Sequence, residues 1–111
     1  MRFSQERHLT LNSSLKTWRD SEQYQMLIGE LGELLTLFGR RVQGRDTPEE
    51  WITEIADCMI MLEQMAIMYG YVKVQEKLDY KIQRLQSRLP KQNDDWDVKH
   101  LENGDFEVIK K

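Results

Sequence analysis

The chain is poor in the residues that fix several kinds of protein. It has one cysteine, Cys58, among 111 residues. No disulfide can form within it, and a reducing, cytoplasmic setting is expected. It has two histidines, His8 and His100. Both fall outside the three long helical segments read below, which argues against a di-iron bundle, since that site draws on Glu-x-x-His pairs. Its two prolines, Pro48 and Pro90, each stand at the edge of a helical segment. No run of about 18 residues is apolar and free of charge, so no membrane span is expected. The opening MRFSQERHLTLNSSLK lacks the continuous apolar stretch of a signal peptide. Excess positive charge is also missing. Lys and Arg number 16 against 19 Asp and Glu, a net charge of -3, which gives no electrostatic ground for nucleic-acid binding.

What is present is an ordinary globular composition, 40% hydrophobic and 32% charged. The length fits one domain with a small core. A short helix or irregular arm is expected up to Trp18. Asp20 or Ser21 is a candidate cap for the first long helix, with Gln23 placed as in a capping box. That helix runs through QYQMLIGELGELLTLFG and ends at Gly39 and RRVQGRD. Thr47 caps the second, with Pro48 in its first turn and Glu50 three residues after the cap, and Gly70 stops it. The third covers about Val72 to Leu89, before Pro90. PKQNDDWD reads as a loop. Asn103-Gly104 predicts a type I′ hairpin in the tail, with Leu101 opposite Phe106 and Lys99 opposite Val108. The organisation is thus a helical part, residues 1–90, and a loop-and-hairpin tail, residues 91–111.

The informative feature is where the acids fall. In the first long helix Leu27, Ile28, Leu31, Leu34, Leu35 and Phe38 form one wide apolar face. Beside it runs a second stripe of Gln23, Met26, Glu30, Glu33 and Leu37, with Gly29 and Gly32 on the remaining face, open to close backbone approach. The second helix, WITEIADCMIMLEQMAIMY, is apolar nearly all round, which implies burial between partners. Yet it carries Glu54 and Asp57 on one stripe. An ionised carboxylate buried without a partner costs several kcal/mol or more, or takes up a proton. Each helix therefore has two acids at i,i+3. The intervening loop is short enough for the helices to be antiparallel neighbours, so four carboxylates can converge. Like charges that close repel unless a cation neutralises them. All-oxygen ligation suits a hard cation, Mg²⁺ with Mn²⁺ as substitute. A single E-x-x-E pair is usually a solvated face; two such pairs on adjacent helices in apolar surroundings carry the metal reading. The third helix bears a basic stripe, Lys77, Lys81, Arg84 and Arg88, which serves either as a solvated face or as a phosphate clamp.

GELGELL, followed after a short loop by EEWITEIADCMIML, resembles the E-x-x-E … E-x-x-D signature of the MazG-like, all-α nucleoside triphosphate pyrophosphohydrolases. Glu30, Glu33, Glu54 and Asp57 occupy the four acidic positions, and the likeness spans Trp18 to Leu89. Residues 1–15 and the hairpin lie outside it. The resemblance implies an antiparallel helical bundle completed by oligomerisation, as homodimer or homotetramer. It also implies Mg²⁺-dependent hydrolysis of an NTP or dNTP to the monophosphate and pyrophosphate, the four acids serving as metal ligands and catalytic groups. Lys77, Lys81 and Arg84 would steady the phosphates; Lys77 matches a lysine common in the family, whereas some members carry asparagine near Lys81. Trp18 and Trp51 are candidates to stack on the base, and Gln23 to hydrogen-bond substrate or a ligand carboxylate. The competing expectation is a non-catalytic helical interaction protein built on the same bundle.

Overall fold

A computed structural model describes residues 5–89 and 95–111. The chain forms helices α1 (Gln5–Thr17), α2 (Asp20–Val42), α3 (Pro48–Tyr69) and α4 (Tyr71–Arg88), then strands β1 (Trp96–His100) and β2 (Phe106–Lys110). Pro90 and most of the PKQNDDWD loop lie outside the described residues. Among the described residues no single helix is long and apolar enough to cross a membrane. Contacts divide the chain into two compact units, Met1–Val74 and Gln75–Lys111. The division falls inside α4.

In the first unit α3 is the central helix, touched by α1 on one side and α2 on the other. Its start follows the expected chemistry. The Thr47 side chain accepts a hydrogen bond from the Glu50 amide at 3.3 Å, and Pro48 fills the first turn, where its missing N–H costs nothing. Gly70 ends the helix at φ +110°, a conformation closed to most side chains. The start of α2 differs from expectation. Arg19 holds the cap position with no side-chain hydrogen bond, and Asp20 is already helical. The end of α2 also differs: Gly39 lies within the helix, which runs on to Val42, and Gly44 at φ +70° makes the turn.

Helices α2 and α3 are antiparallel: Tyr24 meets Tyr69, Cys58 Sγ reaches the Glu30 carbonyl, and Phe38 packs edge-on against Trp51. The stripe of α2 that faces α3 is the Gln23–Leu37 one. The wide apolar face expected to bury α2 points outward instead, with Ile28 and Leu35 about two-thirds exposed and Leu31 and Phe38 also open. On α3, Ile52, Ile55, Ile60 and Leu62 are exposed as well. The buried set among the described residues is correspondingly mixed: Leu11, Leu37, Cys58 and Met61 beside Gln23, Glu54, Glu63 and Gln64. A core this polar does not use the chain's apolar surface, most of which is left uncovered. Gly29 and Gly32 have nothing within 4 Å of a would-be Cβ, so no backbone approaches there in the single chain.

The second unit holds most of α4 and the hairpin. No residue of α4 is buried. The strands pair antiparallel, with Val98 opposite Val108 and His100 opposite Phe106, one residue out of the expected register. The turn explains the slip. A type I′ turn over Asn103-Gly104 needs φ > 0 at both residues, and among the described residues only glycines have positive φ. The Leu101 amide instead donates to the Asp105 carbonyl at 2.8 Å and the Gly104 amide to the Leu101 carbonyl at 3.1 Å, with Gly104 at φ +92°. This is a three-residue loop in which a type I turn ends on a left-handed glycine. Asn103 Oδ1 accepts from the Asp105 amide and reinforces it. The register collects Trp96, Val98, Phe106 and Val108 on one exposed apolar face.

Candidate metal centre

The seam between α2 and α3 carries the acids. Glu30 and Glu33 come from consecutive turns of α2, Glu54 and Asp57 from consecutive turns of α3, and one oxygen from each lies within 4.8 Å of all the others. The antiparallel pairing lines the two i,i+3 pairs up at one level. Glu54 is buried, Glu30 and Asp57 are half-buried, and Glu33 is exposed, so the cluster has a closed floor and an open rim. Leu37 and Met61 are buried on the same helices.

The electrostatics are those of four crowded carboxylates. The Glu54 carboxyl is pushed up from its ordinary 4.5 to about 7, first by burial, then by a hydrogen bond with Glu30 and by repulsion from Glu33 and Glu30. Burial also raises the Cys58 thiol, with Glu54, Glu30 and Asp57 adding to the effect. That thiol sits 3.9 Å from Glu54 Oε1 and 3.8 Å from the Glu30 carbonyl, a packed, weakly donating group. One buried oxygen, Glu30 Oε2, finds no hydrogen-bond partner among the described residues. An orphaned carboxylate oxygen beside three other carboxylates fits a hard divalent cation. Oxygens sharing one octahedral Mg²⁺ at about 2.1 Å lie about 3.0 Å apart when adjacent and about 4.2 Å apart when opposite, so the four groups stand near that spacing and would draw together on binding.

A cavity of about 440 Å³ adjoins the cluster, lined by Glu33 and Glu54 and, beyond them, by Thr36, Arg40, Glu50 and Thr53. Arg40 Nη1 pairs with Glu50 Oε2 at 2.6 Å, and Arg40 Nη2 donates to the Arg45 carbonyl at 2.9 Å. Sequence reasoning passed over Arg40 and gave Glu50 no role at the site. The signal was in the periodicity, since Arg40 is i+7 from Glu33 and Glu50 is i−4 from Glu54.

The remaining candidates are placed as follows. Gln23 is fully buried on α2, two turns before Glu30, and neither its amide nitrogen nor its oxygen finds a partner among the described residues. Trp51 is half-buried; its ring meets Phe38 edge-on at 4.9 Å and its Nε1 donates to Asp46 Oδ2 at 2.7 Å. That hydrogen bond is the main reason the Asp46 carboxyl is held low, helped by Arg41. Trp18 follows α1, is partly exposed, and does not line the cavity. Lys77, Lys81 and Arg84 are exposed on α4 in the second unit, with Lys77 Nζ 5.5 Å from the centre of the Tyr80 ring. In comparisons with protein families, curated proteins and solved structures, the chain matches none.

Proposed function

We propose that the chain is a Mg²⁺-dependent nucleoside triphosphate pyrophosphohydrolase, converting an NTP or dNTP to the monophosphate and pyrophosphate. The observation that carries this reading is the convergence of Glu30, Glu33, Glu54 and Asp57 within 4.8 Å, around a Glu54 carboxyl raised to about 7. Bound there, Mg²⁺ would polarise phosphate oxygens and lower the pKa of a water. The chain's own part is to hold the four carboxylates at that spacing, and to let one that is not fully engaged take the water's proton. Water attacks a phosphorus of the α–β anhydride, the bridging P–O bond breaks, and pyrophosphate and monophosphate leave. In this reading Lys77, Lys81 and Arg84 serve the phosphates, and Trp18, Trp51 and Gln23 the base. The outward apolar faces of α2 and α3 support a homodimer or homotetramer in which copies cover each other's helices. A non-catalytic helical oligomer would share those faces, but it leaves the convergence of four acids without a purpose.

The test is release of pyrophosphate from a panel of ribo- and deoxyribonucleoside triphosphates with Mg²⁺, with Glu54→Gln and Asp57→Asn as controls. Activity on at least one nucleotide, lost in both variants, is expected. No release from any nucleotide, or unchanged release in both variants, overturns the reading. Calorimetric titration with Mg²⁺ and Mn²⁺ then separates the non-catalytic alternative, which predicts no binding.

A further inference from the structure

The cavity beside the acids has an unusual charge pattern. Glu33, Glu49, Glu50 and Glu54 line it, and Arg40 is the only cation among its described lining residues. A cavity with that balance attracts cations and repels free anions. Its two ends differ, however. At one end Glu33 and Glu54 belong to the carboxylate cluster. At the other, Glu50 is already neutralised by Arg40 at 2.6 Å. Once a divalent cation occupies the cluster, the far end offers the guanidinium as an anion contact within the same cavity.

The spacing suits a chain of phosphates. Arg40 lies two turns beyond Glu33 on α2, about 10.5 Å along the axis, and Glu50 lies one turn, about 6 Å, before Glu54 on α3. The guanidinium that rests on Glu50 is therefore about one helical turn from the cluster. That is within reach of the outer phosphates of a polyphosphate anchored by its metal-bound oxygens. The guanidinium is also held for the task. Its Nη2 donates to the Arg45 carbonyl, and the Arg45 amide in turn donates to the Arg40 carbonyl, each at 2.9 Å. The loop thus fixes one edge of the fork and leaves Nη1 to choose its acceptor. The present acceptor is easily displaced. The Arg40 and Glu50 side chains are 46% and 32% exposed, and an ion pair that wet contributes little, whereas a phosphate accepts a stronger, bidentate pair from arginine.

We propose that Arg40 is a phosphate-binding residue for the polyphosphate chain of a metal-bound substrate, and that Glu50 is its resting counter-ion, displaced on binding. The assignment rests on the reading of the four acids as a metal centre, and adds a cation from their own helical unit. Glu50 therefore competes with substrate. Removing it helps binding, while removing Arg40 harms it. A merely structural ion pair gives the same sign for both changes, because either variant only loosens the α2–α3 loop.

Calorimetry with inorganic tripolyphosphate and Mg²⁺ tests this without reference to the base. Wild type is expected to bind tripolyphosphate only with Mg²⁺ present. Arg40→Ala is expected to weaken that affinity by about tenfold or more, Arg40→Lys by less, and Glu50→Gln to tighten it several-fold, with Mg²⁺ binding alone unchanged in all three. Glu50→Gln keeps the backbone amide that Thr47 caps, so it still reports if Arg40→Ala folds poorly, as judged by thermal melting. Equal affinities in all variants, a shift of the same sign in Arg40→Ala and Glu50→Gln, or no tripolyphosphate binding by wild type overturns the proposal. If the affinities move as expected but no nucleotide is hydrolysed, the anion site stands and the hydrolase reading falls. If nucleotides are hydrolysed while the affinities stay flat, the reverse holds.

Discussion

Glu54 and Glu63 lie on the same helix, about two and a half turns apart, and are equally hidden, at 8% and 7% exposure. Their surroundings are opposite. Glu63 faces α1, where Arg7 Nε donates to its Oε2 at 3.2 Å and Arg7 Nη2 pairs with its Oε1. Glu54 faces α2, where the neighbouring charged groups are Glu30 and Glu33, with Asp57 one turn along its own helix. Burial alone therefore does not mark a functional acid, because among the described residues two acids are buried and only one is supplied with a cation. A paired buried carboxylate satisfies the structure by itself. An unpaired one among like charges costs stability that an added cation can restore, and that trade is characteristic of binding sites.

The sharpest way to break this contrast is to neutralise each acid in turn. Glu54→Gln is expected to cut pyrophosphate release by about 10²-fold or more, while the metal-free protein at pH 8 stays as stable as wild type or gains stability. Glu63→Gln is expected to keep most of the activity and to lose stability, because the buried end of the charged pair with Arg7 is then neutral. Initial rates and urea unfolding of both variants decide it. Similar activity losses in the two would erase the distinction between the sites.

A second, smaller effect tests the structural half of the comparison. Arg7→Ala leaves Glu63 buried without its cation. The loss is expected at about 1–3 kcal/mol, below the usual cost of breaking a buried pair because the Arg7 side chain is itself partly exposed. Arg7→Ala combined with Glu63→Gln should recover part of that loss, and calorimetric Mg²⁺ affinity should stay unchanged throughout. No recovery in the double variant means the pair is not what stabilises the α1–α3 contact.

The two acids also differ in how far the sequence revealed them. Glu54 was legible because its partners sit at i,i+3 spacing on two helices joined by a short loop, and helical periodicity alone aligns them. Glu63 was not, because its partner is on α1, far away in the chain, in a segment with little amphipathic pattern. Periodicity likewise located the helices and the Thr47 cap, whose chemistry is local. It did not decide which stripe of α2 turns inward. An apolar stripe reads as core wherever its cover lies, and Ile28 and Leu35 find none in the single chain. The hairpin slipped by one residue for a related reason: Asn103-Gly104 fits two turn types, and only the backbone angle at Asn103 separates them.

The gentlest test uses pH in place of mutation. Glu54 titrates near 7 in the folded chain against an ordinary 4.5. Between those values the folded protein keeps a proton that the unfolded chain has released. A state that binds more protons is favoured at lower pH, so this group's contribution is fully present below about 4.5 and is lost as pH rises to about 7. Mg²⁺ needs the ionised carboxylate, so its binding expels that proton and tightens over the same window. The expected result is a metal-free melting temperature that falls from pH 5 to pH 8 and a Mg²⁺-induced increase that is larger at pH 8. Glu54→Gln should flatten both trends, and Glu63→Gln should leave them as in wild type. A Mg²⁺ increment equal at the two pH values, or a trend that survives Glu54→Gln, would mean that the unpaired acid is not the one the cation relieves. The contrast between the two buried glutamates would then reduce to one of packing.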